Sequence, residues 1–333
     1  MVSELMNTEN KQWKSFEEQL QLLKSRGLLV DDEQAALDYL ERIGYYRLSG
    51  YWYSFRQQEE LPGDTTKSTQ RKDEFIRGSH FKDAVKLYVF DKKLRLLALD
   101  ALERVELAVR VDIAHLLGSK DIHAHENIEL FNGHFSKQIM KKGVSKGRTK
   151  HQVWLARYHD VLRRARREPF VAHYNGKYGK LPIWVAVEVW DFGLMSKLYD
   201  GMKPSDKLVI ANKYGAKDGL VFAGWLRSLN FIRNVSAHHS RVWNINVLER
   251  SALLEDDQYW KRLNNARPFY YFCLLKTILD VICPNSSWGE RFTELLSEFP
   301  KTGSGSVTLR DFGLLADWKN WSLWQKRKPT HTQ

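Results

Sequence analysis

The sequence predicts an all-α protein, and three observations support this. Apolar residues recur at alternating spacings of three and four along most of the chain, which is typical of amphipathic helices. No segment alternates apolar and polar residues as a half-buried strand does. A hydrophobic content of 43% can bury a sizeable core, and a charged fraction of 28% is ordinary for a folded chain. We therefore expect a helical bundle with helical extensions at both termini.

Short helices are predicted in the N-terminal segment, residues 1–80. The apolar spacing favours one helix over residues 16–26 and a second over 33–43, and a glycine follows each of them. An aromatic-rich segment occupies residues 45–52. Residues 57–74 are polar and include proline, glycine, serine and threonine, which predicts a loop.

The core segment, residues 81–250, begins with the longest helix signal of the chain. Leu87, Leu94 and Val105 belong to one apolar stripe that runs from residue 81 to residue 117. The same spacing predicts further helices over residues 183–199, 204–214 and 219–232.

A basic insertion, residues 118–167, lies within this core segment. We expect residues 118–150 to form a mobile loop and residues 152–167 to form a helix that Pro169 stops. Between residues 137 and 167 there are eleven Lys or Arg and one acid, so this stretch supplies +10 of the net charge of +12.

Such a concentration of positive charge is typical of a surface that binds a phosphate backbone. A solvated helix face beside a basic loop is the alternative. The predicted RNA-binding residues are Lys141, Lys142, Lys146, Arg148, Lys150, Arg163, Arg164, Arg166 and Arg167.

The C-terminal segment, residues 251–333, predicts further helices and a tail rich in Trp and Lys. Its most apolar stretch favours a core helix over residues 269–281, and a Gly/Ser stretch at 303–306 marks a linker. Tryptophans follow one another at helical spacing in the tail, ahead of a basic run: Trp318, Trp321 and Trp324, then Lys326, Arg327 and Lys328.

Cysteine usage and apolar runs exclude several classes of protein. Cys273 and Cys283 form no CxxC pair, so we expect buried thiols in a reducing compartment rather than disulfides or a zinc site. Residues 1–20 contain four glutamates and no apolar run, unlike a secretory signal. Nothing approaches the roughly 18 apolar residues of a membrane span, and no nucleotide-binding motif appears. We therefore expect a cytoplasmic protein without a cofactor, a metal site or a membrane partner.

The segment 231–244 carries a high density of groups that contact phosphate. Arg233 and His238 form an R-x4-H pair, and Asn234 lies beside the arginine. A neutral imidazole can take the proton of a ribose 2′-OH, and a guanidinium can stabilise negative charge on the neighbouring phosphate. The pair is therefore predicted to cleave RNA without a metal, leaving a 2′,3′-cyclic phosphate and a free 5′-OH.

The spacing alone is weak evidence, because a second R-x4-H pair occurs within the long helix, at Arg110 and His115. Positions five apart in a helix point about 140° from one another, so we interpret that pair as structural. The same geometry separates Arg233 from His238 unless a helix boundary falls between them or a second protomer contributes. Asn234 is a capping residue type, which favours a break there.

The segment 231–244 also resembles the signature of the Abi-like abortive-infection proteins, which belong to the HEPN superfamily of RNases. Its matching residues are Arg233-Asn234-x-x-Ala237-His238-His239-x-Arg241-x-Trp243-Asn244. Three more blocks resemble the family in the right order: Ile43-Gly44-Tyr45-Tyr46-Arg47-Leu48-Ser49-Gly50-Tyr51, then Phe90-Asp91-x-x-Leu94-Arg95 with Glu103-x-x-Glu106, then Leu181-Pro182-x-Trp184 with Glu188, Phe192 and Gly193.

This resemblance implies a HEPN core built on a four-helix bundle, with two copies of the motif meeting in a homodimer. It implies that Arg233 binds the phosphate, that Asn234 orients it and that His238 is the base, with His239 and Arg241 in support. It further implies an anti-phage or toxin role with RNA as substrate, restrained by a bound non-coding RNA or a protein antitoxin. The basic insertion matches no block, so its ligand is left open.

Two other functions stay open at this point. The chain could be a non-catalytic module that holds a structured or guide-like RNA, or a helical scaffold that binds proteins through its Trp-rich tail. An aromatic cluster that alternates with arginines suits base stacking and core packing equally well: Tyr45, Tyr46, Tyr51 and Trp52.

Two further groups of residues are given structural interpretations. Glu103 and Glu106 share a helix edge, where ion pairs with Arg104 and Arg110 are the alternative to a paired-carboxylate hydrolase site. Several histidines of the insertion lack metal-ligand spacing and are expected at the surface: His123, His125 and His134.

Overall fold

The structure is a computed structural model that describes residues 12–60, 69–140, 143, 145–255 and 257–325. Within these ranges α-helices dominate, and the strands form a single two-stranded sheet. The all-α prediction is confirmed. The described residues form two compact units, one built from 12–92 and 298–309 and the other from 93–297 and 310–325. The division into N-terminal, core and C-terminal segments at residues 80 and 250 stays a prediction.

The first unit contains three short helices and the start of a long one: α1 (Phe16–Ser25), α2 (Glu33–Ile43), α3 (Tyr45–Trp52) and α4 (Phe81–Gly118). Each start has a local cause. Ser15 and Glu18 form a reciprocal capping box at α1, and the Asp32 side chain accepts from the Ala35 N–H at α2. Gly44 separates α2 from α3 with a φ of +89°, which a glycine adopts without strain.

A β-hairpin replaces the loop predicted for residues 57–74. Strand β1 (Arg56–Glu60) pairs antiparallel with β2 (Thr69–Phe75); residues 61–68 lie outside the described part of the chain. Salt bridges of 3.0 Å join the strands, from Lys72 to Glu59 and from Arg56 to Asp73. The loop prediction was wrong because both strands carry polar residues at successive positions, so the hairpin has none of the alternation that marks a half-buried strand.

The stretch predicted as a Gly/Ser linker, residues 303–306, packs within the first unit instead. The Gly303 N–H donates to the Asp83 carboxylate at 2.8 Å, and a Cβ at Gly303 would lie 2.5 Å from the Gly78 carbonyl oxygen. The linker prediction from composition was therefore wrong, because a backbone hydrogen bond and close backbone packing hold this segment.

The second unit contains the rest of α4 and ten further helices of the described residues. They are α5 (Gly133–Ser136), α6 (Lys150–Arg164), α7 (Pro169–Tyr178), α8 (Ile183–Ala186), α9 (Phe192–Gly201), α10 (Pro204–Lys213), α11 (Gly219–Ala237), α12 (Gln258–Arg262), α13 (Pro268–Ile282) and α14 (Trp288–Ser297). Helix α11 packs against α9, α10 and α13. Its apolar side is fully buried, including Phe222, Leu226 and Leu229, so the helix that carries the R-x4-H motif has a rigid base.

Two predicted helix boundaries in this unit are wrong. The single helix expected over residues 183–199 is broken by a 3-10 turn at Val187–Val189 and an extended Trp190, after which Asp191 caps α9 by accepting from the Leu194 N–H at 2.7 Å. Pro169 does not merely stop a helix; it begins α7. The first helical position has no need of an N–H, so proline is well suited to it.

The basic insertion is not a mobile loop in its described part. It contains α5, α6 and a 3-10 turn at Ile128–Leu130, and it buries aromatic side chains that include Phe131, Phe135 and Trp154. Phe135 lies against Gly201, where a Cβ would come within 2.5 Å of its ring. The insertion is therefore part of the hydrophobic core of the second unit.

The tryptophan-rich tail packs against the second unit rather than extending as a helix. Two 3-10 turns, Trp318–Asn320 and Ser322–Trp324, replace the predicted helical spacing, and Trp318 and Trp321 are buried. The Trp321 indole donates to Asp257 at 2.7 Å. These rings are thus core residues and are not available as a protein-binding surface. The basic run Lys326, Arg327 and Lys328 lies outside the described residues.

None of the helices in the described ranges is both long and apolar enough to cross a membrane.

Candidate active site at the end of helix α11

Helix α11 continues without a break through the residues that were expected to interrupt it. The His238 N–H donates to the Asn234 carbonyl at 2.9 Å, so the helix reaches Ala237 and His238 is its C-cap. The predicted boundary between Arg233 and His238 is therefore wrong. Consecutive backbone hydrogen bonds, together with the buried Ser236, hold this turn in the helical conformation.

The helix ends in a Schellman motif with a histidine in the left-handed position. His239 has a φ of +58°, its N–H donates to the Ser236 carbonyl at 3.1 Å, and the Ser240 N–H donates to the Val235 carbonyl at 2.9 Å. Glycine is the usual residue here because side chains strain this conformation. His239 therefore helps to define where the helix stops and where His238 is presented.

A hydrogen bond brings Arg233 towards the face of His238 although their positions differ by about 140° around the helix. One guanidinium N–H of Arg233 donates to the Asn234 side-chain oxygen at 3.3 Å. Asn234 and His238 are four residues apart, so they share one helix face. The side-chain amide of Asn234 therefore links Arg233 to the helix face of His238, and no helix break is needed.

Charge and exposure leave this group of residues available to a ligand. In the described part of the chain, Arg233 has no carboxylate within ion-pair distance, and no side chain hydrogen-bonds to the His238 ring. Arg233 and Asn234 are half-buried, and His238 is exposed to solvent. A guanidinium that forms no salt bridge is a good binding group for a phosphate.

The segment after the helix is firmly anchored. Val242 and Trp243 are completely buried, and the buried Arg95 donates to the Ser240 carbonyl at 3.4 Å. Arg241 is half-buried between these anchors and the turn of His239. The two predicted supporting residues therefore lie beside the catalytic candidates on a fixed backbone.

Glu106 also belongs to this group of residues, although the R-x4-H motif gives no indication of it. Its carboxylate pairs with Arg110, which also donates to the Trp190 carbonyl, in agreement with the structural role expected of Arg110. Burial raises the pKa of Glu106, whereas the positive charges of Arg110 and Arg233 act to lower it. Glu106 therefore lies within electrostatic reach of Arg233. The only sequence signal for it was its place in the central motif block.

The paired-carboxylate alternative has no support in the structure. Glu103 is exposed, and the Glu106 carboxylate forms an ion pair with Arg110. Arg104 forms its ion pair with Asp100, at 2.7 Å, and not with Glu103. No group of three or more His, Cys, Asp or Glu among the described residues is arranged to hold a metal ion. The metal-free reaction nevertheless stays a prediction.

The basic insertion presents most of its described cations to solvent. Lys146, Lys150 and the four arginines at the end of α6 are exposed, and Arg148 is half-buried. Arg163 also pairs with Asp160. The predicted cations Lys141 and Lys142 lie outside the described residues. The four arginines of this exposed cluster are Arg163, Arg164, Arg166 and Arg167.

His125 is buried, contrary to the expectation that it lies at the surface. Its ring meets Tyr158 edge to face at 5.1 Å, and neither ring nitrogen has a hydrogen-bond partner among the described residues. Burial lowers the pKa of His125 to about 4. The prediction was wrong because the loop of His125 folds under α6, which local sequence does not reveal. His134 is exposed as expected, and His123 is half-buried.

The aromatic cluster of the first unit divides between packing and exposure. Tyr51 and Trp52 are buried, and the Tyr51 hydroxyl donates to the Asp91 carboxylate at 2.8 Å. Tyr46 is 92% exposed. Core packing therefore explains Tyr51 and Trp52, and base stacking is left open for Tyr46.

These features define a predominantly helical protein with a half-buried Arg233 and Asn234 and an exposed His238 at the end of a buried helix. A model of the Abi-like protein family matches residues 38–244, more than half of the chain and all of this group. The chain therefore belongs to the Abi-like family, as its motif blocks predicted. This membership indicates a role in abortive infection, a form of phage defence. No curated protein and no solved structure matches the chain.

Proposed function

We propose that this protein is a metal-independent endoribonuclease of the HEPN superfamily that acts in abortive infection. One observation carries the proposal. Arg233, which has no carboxylate within ion-pair distance among the described residues, hydrogen-bonds to Asn234, one helical turn before the exposed His238. A guanidinium that forms no salt bridge and an accessible imidazole on neighbouring parts of one helix end are the groups that RNA cleavage by 2′-OH attack requires.

In the proposed reaction, neutral His238 takes the proton from a ribose 2′-OH. The freed oxygen attacks the adjacent phosphorus, and the bond to the 5′-oxygen of the next nucleotide breaks. Arg233 stabilises the charge that builds on the phosphate, Asn234 orients both groups, and a proton from solvent completes the 5′-OH. The products are a 2′,3′-cyclic phosphate and a free 5′-OH.

The proposal includes a homodimer in which two helix ends meet at one composite site. Asn234 brings the Arg233 guanidinium towards the face of His238, and a second copy related by a twofold axis would add a second guanidinium and a second imidazole to the same site. The exposed cations of the insertion would hold the RNA backbone. A bound non-coding RNA or a protein antitoxin would restrain the enzyme in the cytoplasm until infection.

The test is cleavage of a labelled RNA by the full chain in EDTA. We expect His238→Ala to abolish cleavage while circular dichroism and the unfolding midpoint are unchanged, because the side chain is exposed. His173→Ala, which removes another exposed histidine, is the matched control and should cleave like the wild type. Full cleavage by His238→Ala would refute the role of this residue, and loss of cleavage in EDTA would point to a metal site instead.

Mixing two inactive variants tests the composite site. If one chain can supply the guanidinium and its partner the imidazole, a mixture of Arg233→Ala and His238→Ala should regain part of the wild-type rate. No recovery in a mixture that forms mixed dimers would mean that both groups act within one chain.

A non-catalytic RNA-binding module is the second candidate, and the exposed arginines at the end of α6 favour it. In that case RNA would co-purify with the chain, and neither the wild type nor His238→Ala would cleave it under any condition.

A further inference from the structure

An open cavity of about 400 Å³ lies between the C-terminal turns of α4 and the segment that starts with α8. Val111, Ala114 and Val187 form its apolar lining, and the side chain of Trp184 forms one wall. This volume is within the range of small-molecule sites, about 300–1,000 Å³. The cavity lies within the second unit and contains none of the residues of the proposed active site.

The indole ring of Trp184, which forms this wall, packs against helix α4 at Gly118. Gly118 has no side chain there: a Cβ at this position would lie 3.3 Å from the indole ring and 3.2 Å from Ile183. The ring therefore rests against α4, yet 49% of Trp184 is exposed. A supported, half-exposed indole beside a cavity offers a flat apolar surface on which another ring can stack.

The rim of the cavity is polar. It contains the imidazole of His115, the hydroxyl of Ser119 and the carboxylate of Glu188, and all three residues are exposed. A carboxylate accepts hydrogen bonds from the amino group of cytosine, and an imidazole can donate or accept according to its protonation. A flat wall with hydrogen-bonding groups at its edge matches the way in which proteins bind unstacked bases.

The cavity and Glu106, the residue within electrostatic reach of Arg233, lie along the same helix α4. Residues 106, 110, 114 and 118 follow one another every four positions and so form one ridge of the helix. Arg110 on this ridge donates to the Trp190 carbonyl, and Glu106 lies within reach of the charge of Arg233. Ala114 is eight residues from Glu106, which is about 12 Å along the helix axis. A single RNA strand could therefore reach both places.

We propose that this cavity is a base-recognition subsite, in which one unstacked base of the RNA stacks on Trp184 while Glu188 and His115 contact its edge. Because Glu188 is an acceptor, the subsite favours bases that carry an amino group. The proposal rests on the proposed nuclease function and adds a determinant of cleavage-site preference to it.

The test uses the full chain with His238→Ala, a fluorescein-labelled single-stranded RNA and anisotropy at fixed salt. Trp184→Ala should weaken binding by about 5- to 150-fold, the usual effect of losing one stacked base. Trp184→Phe, which keeps a ring, should retain most of the affinity. Trp13→Ala, which removes a tryptophan that is 85% exposed in the other unit, is the control and should bind like the parent.

A second readout is the base preference of the active chain, from sequencing of the cleaved ends. Glu188→Gln should reduce the preference for amino-bearing bases at one position near the cut and leave other positions unchanged.

If Trp184→Ala and Trp13→Ala bind and cut alike while the wild type cleaves RNA, the subsite is refuted and the nuclease stands. If the wild type neither binds nor cleaves RNA, both proposals fall. If Trp184→Ala changes only the mass of the oligomer, the cavity belongs to a protein interface and the subsite is refuted.

Discussion

At the scale of single residues, the end of α11 depends on a histidine in a conformation that favours glycine. His239 has a φ of +58° and terminates the helix directly after His238. A residue other than glycine costs about 1–2 kcal/mol in this conformation, and a β-branched residue is the least tolerated. The backbone at His239 is therefore part of the means by which His238 is positioned.

We expect His239→Val to lower the free energy of unfolding by about 1–2 kcal/mol relative to His239→Gly, because only valine is strained in the left-handed region. Urea unfolding of both variants measures the difference. Cleavage should fall in His239→Val and persist in His239→Gly if the residue acts through the backbone. Equal loss of cleavage in the two variants would instead assign a role to the imidazole of His239.

The buried His125 predicts a loss of stability in acid. Its pKa is about 4 in the folded protein against an ordinary value of 6.5. The unfolded chain binds the proton of the His125 imidazole more tightly than the folded protein does. The free energy of unfolding therefore has its full value well above pH 6.5 and decreases as the pH falls towards 4. The loss between pH 7 and pH 4.5 should be about 2–3 kcal/mol.

Replacing the titrating group should remove this loss. His125→Phe keeps a ring beside Tyr158, and the difference between its unfolding free energies at pH 7 and pH 4.5 should be smaller than that of the wild type by about 2–3 kcal/mol. His173→Phe, at an exposed histidine, should titrate like the wild type. The interpretation fails if His125→Phe and the wild type lose stability equally in acid.

At the scale of elements, helix α4 is the common support of the motif blocks. In the first unit Asp91 on α4 accepts from the Tyr51 hydroxyl. In the second unit Arg95 holds the Ser240 carbonyl, and Arg110 holds the Trp190 carbonyl. The segments that contain the other three blocks therefore each form a hydrogen bond with α4, two of them through a backbone carbonyl.

Two helical glycines provide a matched test of how the insertion is attached. A Cβ at Gly201 on α9 would come within 2.5 Å of the buried Phe135 ring, whereas a Cβ at Gly176 on α7 would meet nothing within 4 Å. Gly201→Ala should therefore destabilise the protein by about 1–3 kcal/mol. Gly176→Ala should be neutral or stabilising by up to about 1 kcal/mol, because alanine is the better helix former.

Thermal unfolding measures both glycine variants, and limited proteolysis shows where Gly201→Ala opens. We expect new cleavage within residues 118–167, since Phe135 attaches this part of the chain to α9. An unchanged midpoint for Gly201→Ala would mean that the ring moves aside without cost.

At the scale of the whole molecule, most of the positive charge is concentrated in the insertion. Residues 137–167 supply +10 of the net charge of +12. Binding to a phosphate backbone releases counterions, so the logarithm of the binding constant falls with the logarithm of the salt concentration, by about 0.7 per contact for single strands. The exposed arginines that end α6 are the best-defined members of this surface.

Replacing Arg163, Arg164, Arg166 and Arg167 by Gln should reduce the salt slope of RNA binding by up to about 3, because at most four phosphate contacts are lost. The control changes the net charge equally at exposed cations outside the insertion: Arg42, Lys92, Lys203 and Lys301. Anisotropy titrations between low and moderate salt give both slopes. Equal slopes for the two variants would mean that overall charge, and not this surface, attracts the RNA.

The local sequence pattern was sufficient to predict the helices that bury one continuous apolar stripe. The long helix α4, helix α10 and the apolar α13 lie close to their predicted bounds, because helical periodicity depends only on residues three and four positions apart. The β-hairpin was missed because its strands are polar at successive positions, and the break before Asp191 was missed because apolar residues flank it on both sides.

The sequence by itself determined the family and the all-α class, and it predicted Arg233 and His238 as the candidate pair, since these depend on residue identity and on local spacing. Only the tertiary structure decided that Glu106 lies within reach of Arg233, that His125 is buried and that Trp184 walls a cavity. Their neighbours are distant along the chain, and long-range packing, which local spacing does not encode, brings them together.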